Sequence, residues 1–383
     1  MESSVHALEA KNQGSGVIAL LRNNAFTLFA FLLMLVLPFI IAVADGQAPD
    51  AVLTNETGMA RFMQGLLIEV FILAIYALSY DLVLGVTGLL SFGHAMFFAT
   101  GAYATGIALK SLGWGLLPTV AAVLVVGVVQ ALLFAVVLPR VKGITFALVT
   151  LGLAAVFHIV IQSQELAAYT GSDIGLQGVV PPDFLNTTTD RYRFYVVALV
   201  LLLLFYLAYR RFVDSPTGRV CVAIRENEDR ALMLGYNTFY FKVVALLVAS
   251  ITAAIAGTLH TLHQPIVSPN VAGLGWTVAA LLMILIGGVG TLSGAIVGAA
   301  VFRLLEFYLD RRFGEYASFL LGVVYVALVL FLPFGIVGTW RAKAFRIEEG
   351  RERLMRLLTQ EKSEDVRESI DDPVEGVEEQ HTV

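Results

Sequence analysis

The sequence contains one cysteine and few charged residues. Its single cysteine, Cys221, excludes a disulfide framework and any metal cluster built from cysteines. Charged residues make up 14% of the 383 residues and hydrophobic residues 58%, whereas soluble domains average about 25% charged. The apolar residues form runs long enough to cross a bilayer as helices, which takes about 20 residues. The sequence therefore predicts an all-α, polytopic bundle of transmembrane helices.

Sequence motifs of nucleotide-binding proteins and hydrolases are also absent. There is no Walker A pattern, no H-E-x-x-H zinc motif and no G-x-S-x-G nucleophile elbow. A membrane-embedded enzyme would need a cluster of catalytic groups near one interface, and the sequence shows none. We therefore expect a transport protein that is not an enzyme. If transport uses ATP, another chain must bind the nucleotide.

Ten apolar runs predict about ten membrane spans. They cover residues 25–43, 65–84, 95–110, 115–138, 143–162, 194–210, 240–260, 272–286, 295–309 and 316–334. The first run ends in "AVA" but is longer than a signal-peptide core, so it is interpreted as a span. Ten spans place both termini on one side, and the basic residues of the loops, including Arg140 and Lys142, mark that side as cytoplasmic. Arg311 and Arg312 fall on the other side, against this rule.

The net charge of −5 is unevenly distributed. From residue 347 to the end, twelve acids and five basic residues give −7, so the rest of the chain carries +2. We expect residues 1–24 to form a cytoplasmic leader, residues 25–340 the transmembrane domain and residues 341–383 an acidic cytoplasmic tail.

Two glycine-rich segments share the pattern G-x-x-G-x-L-S. They are "GVTGLLS" at 85–91, the first glycine segment, and "GGVGTLS" at 287–293, the second glycine segment. Each precedes a short span rich in small residues, which predicts two related halves, arranged in parallel because the topology places both segments on the cytoplasmic side. Such interrupted segments at corresponding positions indicate a transport pathway. Close packing of helices explains the small residues equally well.

Ionisable residues within apolar runs are costly and often functional. Those in this chain are Glu69, Asp81, His94, His158, His260, Arg303 and Glu306. The i, i+3 spacing of Arg303 and Glu306 favours a structural ion pair over a proton relay. His260 and His263 have the same spacing but no third ligand, so we expect a helix-end pair and not a metal site. Charged residues do not line several spans, which argues against a gradient-driven carrier.

The stretch "SPTGRVCVAIRENEDRALMLGYN" at 215–237 is hydrophilic and lies between two spans. Ser215 and Pro216 are helix-start signals, and Gly235 with Asn237 is a stop signal. Its amphipathic pattern predicts a short surface helix on the cytoplasmic side. A solvated connector that obeys the positive-inside rule would explain the arginines, but not the small-residue face of "DRALMLG".

The stretch "AIRENEDRALMLGYNTFYFK" resembles the coupling segment of permeases of ATP-binding-cassette importers. Asp229-Arg230-Ala231, three residues and Gly235 match the spacing of their Glu-Ala-Ala motif with altered chemistry. The likeness is greatest to the branched-chain amino acid permease family, with its LivM-type subunit. Three further stretches resemble signatures of that family, so that the resemblance covers about residues 65–340: "GLLSFGHAMFFATGAY", "SPNVAGLGWTVAALLMILIGGVGTLSGAIVGA" and "FLPFGIVG". Urea and short-amide permeases are similar, so the substrate stays open.

The resemblance implies an inner-membrane importer made of several chains. Its partners would be a second permease of the LivH type, two ATPase subunits that bind ATP and Mg, and an extracytoplasmic binding protein that delivers the amino acid. Residues 211–239, the coupling loop, would dock on an ATPase through Arg225, Glu226, Asn227, Asp229, Arg230, Ala231 and Gly235. The translocation pathway would be lined by Gly85, Gly88, Ser91, Gly93, His94, Gly287, Gly288, Gly290, Thr291 and Ser293.

Overall fold

A computed structural model describes residues 25–340 with the exception of residues 139, 142 and 333. The predicted leader at 1–24 and the predicted tail at 341–383 lie outside the described residues, as does Lys142. The expectations for those segments therefore remain predictions.

Helices dominate the described chain. In order they are α1 (Ala25–Ala44), α2 (Met59–Tyr80), α3 (Ala95–Lys110), α4 (Leu116–Val137), α5 (Ile144–Gln162), α6 (Ala167–Thr170), α7 (Arg191–Asp214), α8 (Pro216–Glu226), α9 (Glu228–Met233), α10 (Thr238–His263), α11 (Leu274–Gly287), α12 (Leu292–Phe313) and α13 (Ala317–Phe331). Two short strands, β1 (Leu176–Gln177) and β2 (Ile266–Val267), form an antiparallel pair that links two loops.

Each of the ten predicted apolar runs coincides with a helix. Within the described part of the chain, seven helical stretches are long and apolar enough to cross a membrane: Thr27–Ala44, Met59–Val86, Leu116–Val137, Ile144–Gln162, Arg191–Asp214, Thr238–His263 and Leu292–Trp340. The last stretch contains both α12 and α13. Helices α3 and α11 are shorter, at 16 and 14 residues. The all-α multi-pass fold is therefore confirmed, whereas the count of ten spans is not.

Helix α2 forms the centre of the bundle. Its residues from Leu66 to Tyr80 are almost all buried, and it packs against α7, α10, α11 and α12. Helix α3 packs mainly against α10 and α4. This arrangement buries α2 on every side, which explains why its sequence is apolar all round and shows no polar stripe.

The direction of the helices defines two ends of the bundle. Helix α2 continues into the first glycine segment, α11 ends at the second glycine segment, and α12 begins there. The β1–β2 pair and the loop at 163–190 lie beyond the opposite ends of α5, α7 and α10. The two glycine segments therefore share one end of the molecule, where the coupling loop also lies.

Candidate functional site

The coupling loop folds as two short helices, α8 and α9, where the sequence predicted one. The side chain of Ser215 accepts a hydrogen bond from the Gly218 amide and caps α8. Asn227 then leaves the helical conformation, with φ −163° and ψ 103°, and its side chain accepts from the Arg230 amide at 2.9 Å. Asparagine is favoured as a helix cap, so it ends α8 and starts α9 in a new direction.

Helix α9 is attached to the start of α10 by an ion pair. The Lys242 ammonium donates to a Glu228 carboxylate oxygen at 2.5 Å, and the Thr238 hydroxyl donates to the same oxygen at 3.1 Å. Lys242 is buried, so this pair is screened less by solvent than a surface pair. A displacement of α9 is therefore transmitted to α10. Glu228 and Lys242 were not among the site residues predicted from the sequence.

The outer face of α9 is apolar and exposed. Met233 is 87% exposed and Leu234 is 72% exposed, while Ala231 is buried at 2%. The sequence predicted that Ala231 contacts a partner; Ala231 is covered by the permease itself, and its part in docking remains a prediction. Gly235 adopts φ +86° with open space around it, so it forms the turn that ends α9. Exposed apolar side chains beside charged ones are typical of a docking surface.

Below the coupling loop, α2 changes from α-helical to π-helical geometry. The π-helical turn spans Asp81–Val86 and leads into Gly88, which has φ +78°. The wide turn directs Asp81 and Gly85 toward the second glycine segment, and π-helical turns of this kind are frequent at functional sites. A side chain at Gly85 would collide with the Asp81 carboxylate and would lie 2.5 Å from the Gly290 amide nitrogen.

The two glycine segments cross at Gly85 and Gly290, a contact we call the glycine crossing. The amide of Gly290 donates to Oδ1 of the buried Asp81 at 2.7 Å. From the coupling loop, the Arg225 guanidinium donates to the Gly85 carbonyl oxygen, and a side chain at Gly290 would lie 2.7 Å from that guanidinium. One arginine thus joins the coupling loop to both glycine segments. Arg225 was predicted to contact an ATPase; its guanidinium binds the Gly85 carbonyl, and a contact with an ATPase remains a prediction.

The stretch "FLPFGIVG" completes this cluster. A side chain at Gly288, which has φ +120°, would lie 2.8 Å from the Phe334 carbonyl oxygen and 3.1 Å from the Gly338 amide nitrogen. Thr291 closes the turn by donating its hydroxyl to the Gly288 carbonyl at 2.5 Å. Four segments that are far apart in the sequence therefore meet at one end of the bundle.

The rest of the first predicted pathway group lies in the packed core. The His94 ring is fully buried, hydrogen-bonds Ser79 through Nε2 at 2.8 Å and contacts the Tyr80 ring at 4.8 Å between centroids. Ser91 accepts from the Tyr80 hydroxyl through its carbonyl at 3.0 Å. Gly93 packs directly against the Thr150 carbonyl of α5. These contacts fix the start of α3 between α2 and α5.

Two members of the second predicted group belong to the α11–α12 hairpin. Gly287 lies against the Gly294 carbonyl, where a side chain has no space. Ser293 is in the first turn of α12. The structure thus divides the predicted pathway residues into a crossing set, which contacts the coupling loop, and a packing set. Their part in translocation remains a prediction.

The predicted Arg303–Glu306 pair forms, and a third residue joins it. Arg303 donates to Glu306 at 2.7 Å and to Glu69 of α2 at 2.6 Å. His263 lies 4.0 Å from the Glu69 carboxylate, at the end of α10 as expected. Among the described residues no group of three or more His, Cys, Asp or Glu side chains is arranged to hold a metal ion.

A family model described as "Branched-chain amino acid transport system / permease component" matches residues 62–330. The chain belongs to this family. The match contains the coupling loop, both glycine segments and the Glu69–Arg303–Glu306 group, and it confirms the resemblance found in the sequence. Membership in the branched-chain amino acid permease family agrees with the multi-pass helical fold, and the relatives of this chain are transport permeases.

Two types of relative are similar to this family member. The LivM permease protein of Salmonella typhimurium is 28% identical over 69% of this chain and 67% of the relative, and that of Escherichia coli is 27% identical over the same shares. The LivH permease protein of Escherichia coli is 25% identical over 69% of this chain and 91% of the relative. Both are named as parts of high-affinity branched-chain amino acid transport systems. No solved structure matches the chain.

Proposed function

We propose that this chain is a transmembrane subunit of an ATP-driven importer for branched-chain or related amino acids. Its partners in the proposal are a second, LivH-like permease, two ATPase subunits on the cytoplasmic face and an extracytoplasmic binding protein. ATP and Mg bind to the ATPases, and this chain itself catalyses no reaction. Both termini lie in the cytoplasm of an inner-membrane protein in this scheme.

The observation that carries the proposal is the contact of Arg225 with the glycine crossing. A connector that only obeys the positive-inside rule has no reason to insert a guanidinium between two interrupted helices. In this structure Arg225 binds the Gly85 carbonyl beside the Asp81–Gly290 hydrogen bond. A force applied to α8 therefore acts directly on the end of α2 and on the turn between α11 and α12.

The exposed face of α9 supports an ATPase as the source of that force. Met233 and Leu234 project from the membrane domain, and the Glu228–Lys242 ion pair holds their helix against α10. A groove on an ATPase that covers these side chains would therefore bind a helix that is fixed to the membrane domain. Closure of two ATPases on ATP would then displace α8 and α9 together.

The alternative within transport is a urea or short-amide permease of the same class. A gradient-driven carrier is a weaker alternative, because it gives no role to the coupling loop. Reconstitution of the chain in proteoliposomes with candidate ATPases, second permease and binding protein distinguishes them. We expect leucine uptake that requires ATP and persists when ion gradients are collapsed. Uptake by the chain alone, or uptake abolished by ionophores, would contradict the proposal.

A further inference from the structure

A cavity of about 170 Å³ lies in the bundle, apart from the coupling loop. It is lined by the charged residues Glu69, Arg303 and Glu306, by Ile72, Leu73 and Trp276, and by His260 and Gln264. A single buried water needs roughly 10–15 Å³ of such space. The cavity is therefore large enough for a small organic ligand with one charged and one apolar end.

The position of the cavity is set by the three helices that lead to it. Glu69 precedes Asp81 by 12 residues on α2, Trp276 precedes Gly287 by 11 on α11, and Arg303 follows Leu292 by 11 on α12. At 1.5 Å per residue, each lies about 16–18 Å along its helix from the glycine crossing. The cavity is thus in the half of the bundle away from the coupling loop, where a solute from outside would enter.

The charges in the cavity are not balanced. Arg303 faces two carboxylates, those of Glu69 and Glu306, so one negative charge is in excess. Charges at membrane depth are retained where they face a cavity or a partner. Arg303 has enough N–H donors to bind both acids, but its single positive charge neutralises only one of them.

Of the two acids, Glu306 is the one with a carboxylate oxygen that accepts no hydrogen bond from the described residues. Both oxygens of Glu69 are engaged, one by Arg303 at 2.6 Å and the other by Gln264 at 2.8 Å. In the described part of the chain, Glu306 has one hydrogen bond, from Arg303 to its Oε2. Its side chain is also the more exposed, at 36% against 20% for Glu69. The second Glu306 oxygen is thus open to a cationic donor.

The apolar part of the lining suits the side chain of an amino acid. Leu73 presents aliphatic surface beside Ile72, and Trp276 adds part of its ring. An apolar side chain and an ammonium group thus each find a complementary group within one cavity.

We propose that this cavity binds the transported amino acid, with the α-ammonium group on Glu306 and the apolar side chain against Ile72 and Leu73. This inference rests on the proposed function, and it names the group that would distinguish an amino acid from urea or a short amide. Urea and short amides carry no ammonium group, so they offer the excess carboxylate neutral N–H donors without a compensating charge. The cavity therefore favours amino acids over these neutral solutes.

The test measures access to the cavity in the purified full-length chain. A Leu73→Cys variant, with Cys221→Ala to remove the native thiol, is labelled with a positively and a negatively charged methanethiosulfonate. We expect faster labelling by the cationic reagent, slowed by leucine but not by 4-methylpentanoate, which lacks the ammonium group, nor by urea. Labelling by neither reagent, or equal protection by all three solutes, would overturn the inference.

Variants at acidic residues test whether protection by leucine depends on Glu306. Glu306→Gln leaves the Arg303–Glu69 pair intact, and we expect protection by leucine to require about tenfold more ligand, as the loss of one charge-assisted hydrogen bond implies. Glu306→Asp keeps the carboxylate, so protection by leucine should require less ligand than in Glu306→Gln. Asp310→Asn, on an exposed position one turn further along α12, removes a charge outside the cavity and should leave protection unchanged. Unchanged protection in Glu306→Gln would refute the assignment.

This experiment needs no ATPase and no binding protein. Its result is therefore independent of the reconstitution that tests the proposed function. ATP-dependent leucine uptake without protection of Leu73→Cys would place the substrate elsewhere in the permease. Protection without ATP-dependent uptake would contradict only the importer assignment.

Discussion

At the scale of single residues, Arg225 connects the coupling loop to the glycine crossing. Its guanidinium is the group of the loop that binds the glycine crossing, through the Gly85 carbonyl. Replacement by Met keeps the aliphatic stem and removes the donor, which forfeits about 1.5–3 kcal/mol of interaction. We expect Arg225→Met to insert and bind ATPases, but to transport fewer amino acids per ATP hydrolysed in proteoliposomes.

Arg219→Met is the matched control for this prediction. Arg219 is an exposed arginine on the same helix, α8, at 216–226. The substitution makes the same change in charge without touching the glycine crossing. If Arg225→Met and Arg219→Met transported the same number of amino acids per ATP hydrolysed, the contact of Arg225 with Gly85 would have no role in coupling.

Gly235 tests whether the turn after α9 matters for its shape or for its location. Gly235 has φ +86° and Gly113, in the loop after α3, has φ +63°, and a Cβ atom at either position would have no neighbour within 4 Å. Valine at either site meets the same backbone penalty, about 1–2 kcal/mol. We expect Gly235→Val and Gly113→Val to lower the melting temperature similarly, while Gly235→Val alone uncouples ATP hydrolysis from uptake. Uptake undiminished in Gly235→Val would reject a coupling role for this turn.

At the scale of elements, α8 and α9 have one face against the permease and one face free. Cys221 is buried on the inner face of α8, and its thiol contacts the Phe241 carbonyl at 3.8 Å. Met233 is on the outer face of α9. We expect maleimide to label Cys221 slowly and to label Met233→Cys, in a Cys221→Ala background, quickly. Added ATPases should protect Met233→Cys, and a failure to do so would exclude this face as their docking surface.

The pH dependence of labelling gives a second measure of the same arrangement. Burial raises the pKa of the Cys221 thiol above its ordinary value, and the thiolate is the reactive form. A raised pKa means less thiolate at any pH below it, so the labelling rate of Cys221 should still be climbing at a pH where that of Met233→Cys has levelled off. Glu228→Gln, which weakens the ion pair with Lys242, should shift the Cys221 profile toward that of the exposed cysteine.

The elements also show what the sequence could predict. Long apolar runs sufficed for the helices, because hydrophobic length is a local property of the chain. The break at Asn227 was missed because asparagine is compatible with both a surface helix and a cap. The role of Asp81 was missed for a different reason: its partner, Gly290, is 209 residues away. Spacing along one chain does not reveal a contact between two segments that each look like simple turns.

The two halves of the repeat illustrate the same limit. Their shared pattern predicted that residues 85–91 and 287–293 are related, and the structure places them in contact at one end of the bundle. The two segments therefore occupy neighbouring positions in the bundle, as the hypothesis of two related halves requires. The sequence alone could not decide between pathway and packing, because glycine serves both. Gly93 and Gly287 lie directly against backbone carbonyls, which explains by packing why these two positions are glycine. Their part in translocation remains a prediction.

At the scale of the whole molecule, α2, α11 and α12 connect two sites. Each helix has one end at the glycine crossing and contributes a residue to the cavity: Glu69, Trp276 and Arg303 respectively. Because packed helices move as rigid bodies more readily than they deform, a displacement at the crossing should change the shape of the cavity. The coupling loop and the cavity should therefore respond to each other.

The assembled transporter provides the test of this connection. With Leu73→Cys as the reporter in a Cys221→Ala background, binding of a non-hydrolysable ATP analogue to the ATPases should change the labelling rate in the cavity. Adding Arg225→Met should suppress that change while leaving the nucleotide-free rate intact, and Arg219→Met should preserve it. A response of equal size in both arginine variants would mean that the force reaches the cavity by another route, for which α10 is the candidate since the Glu228–Lys242 ion pair attaches it to α9.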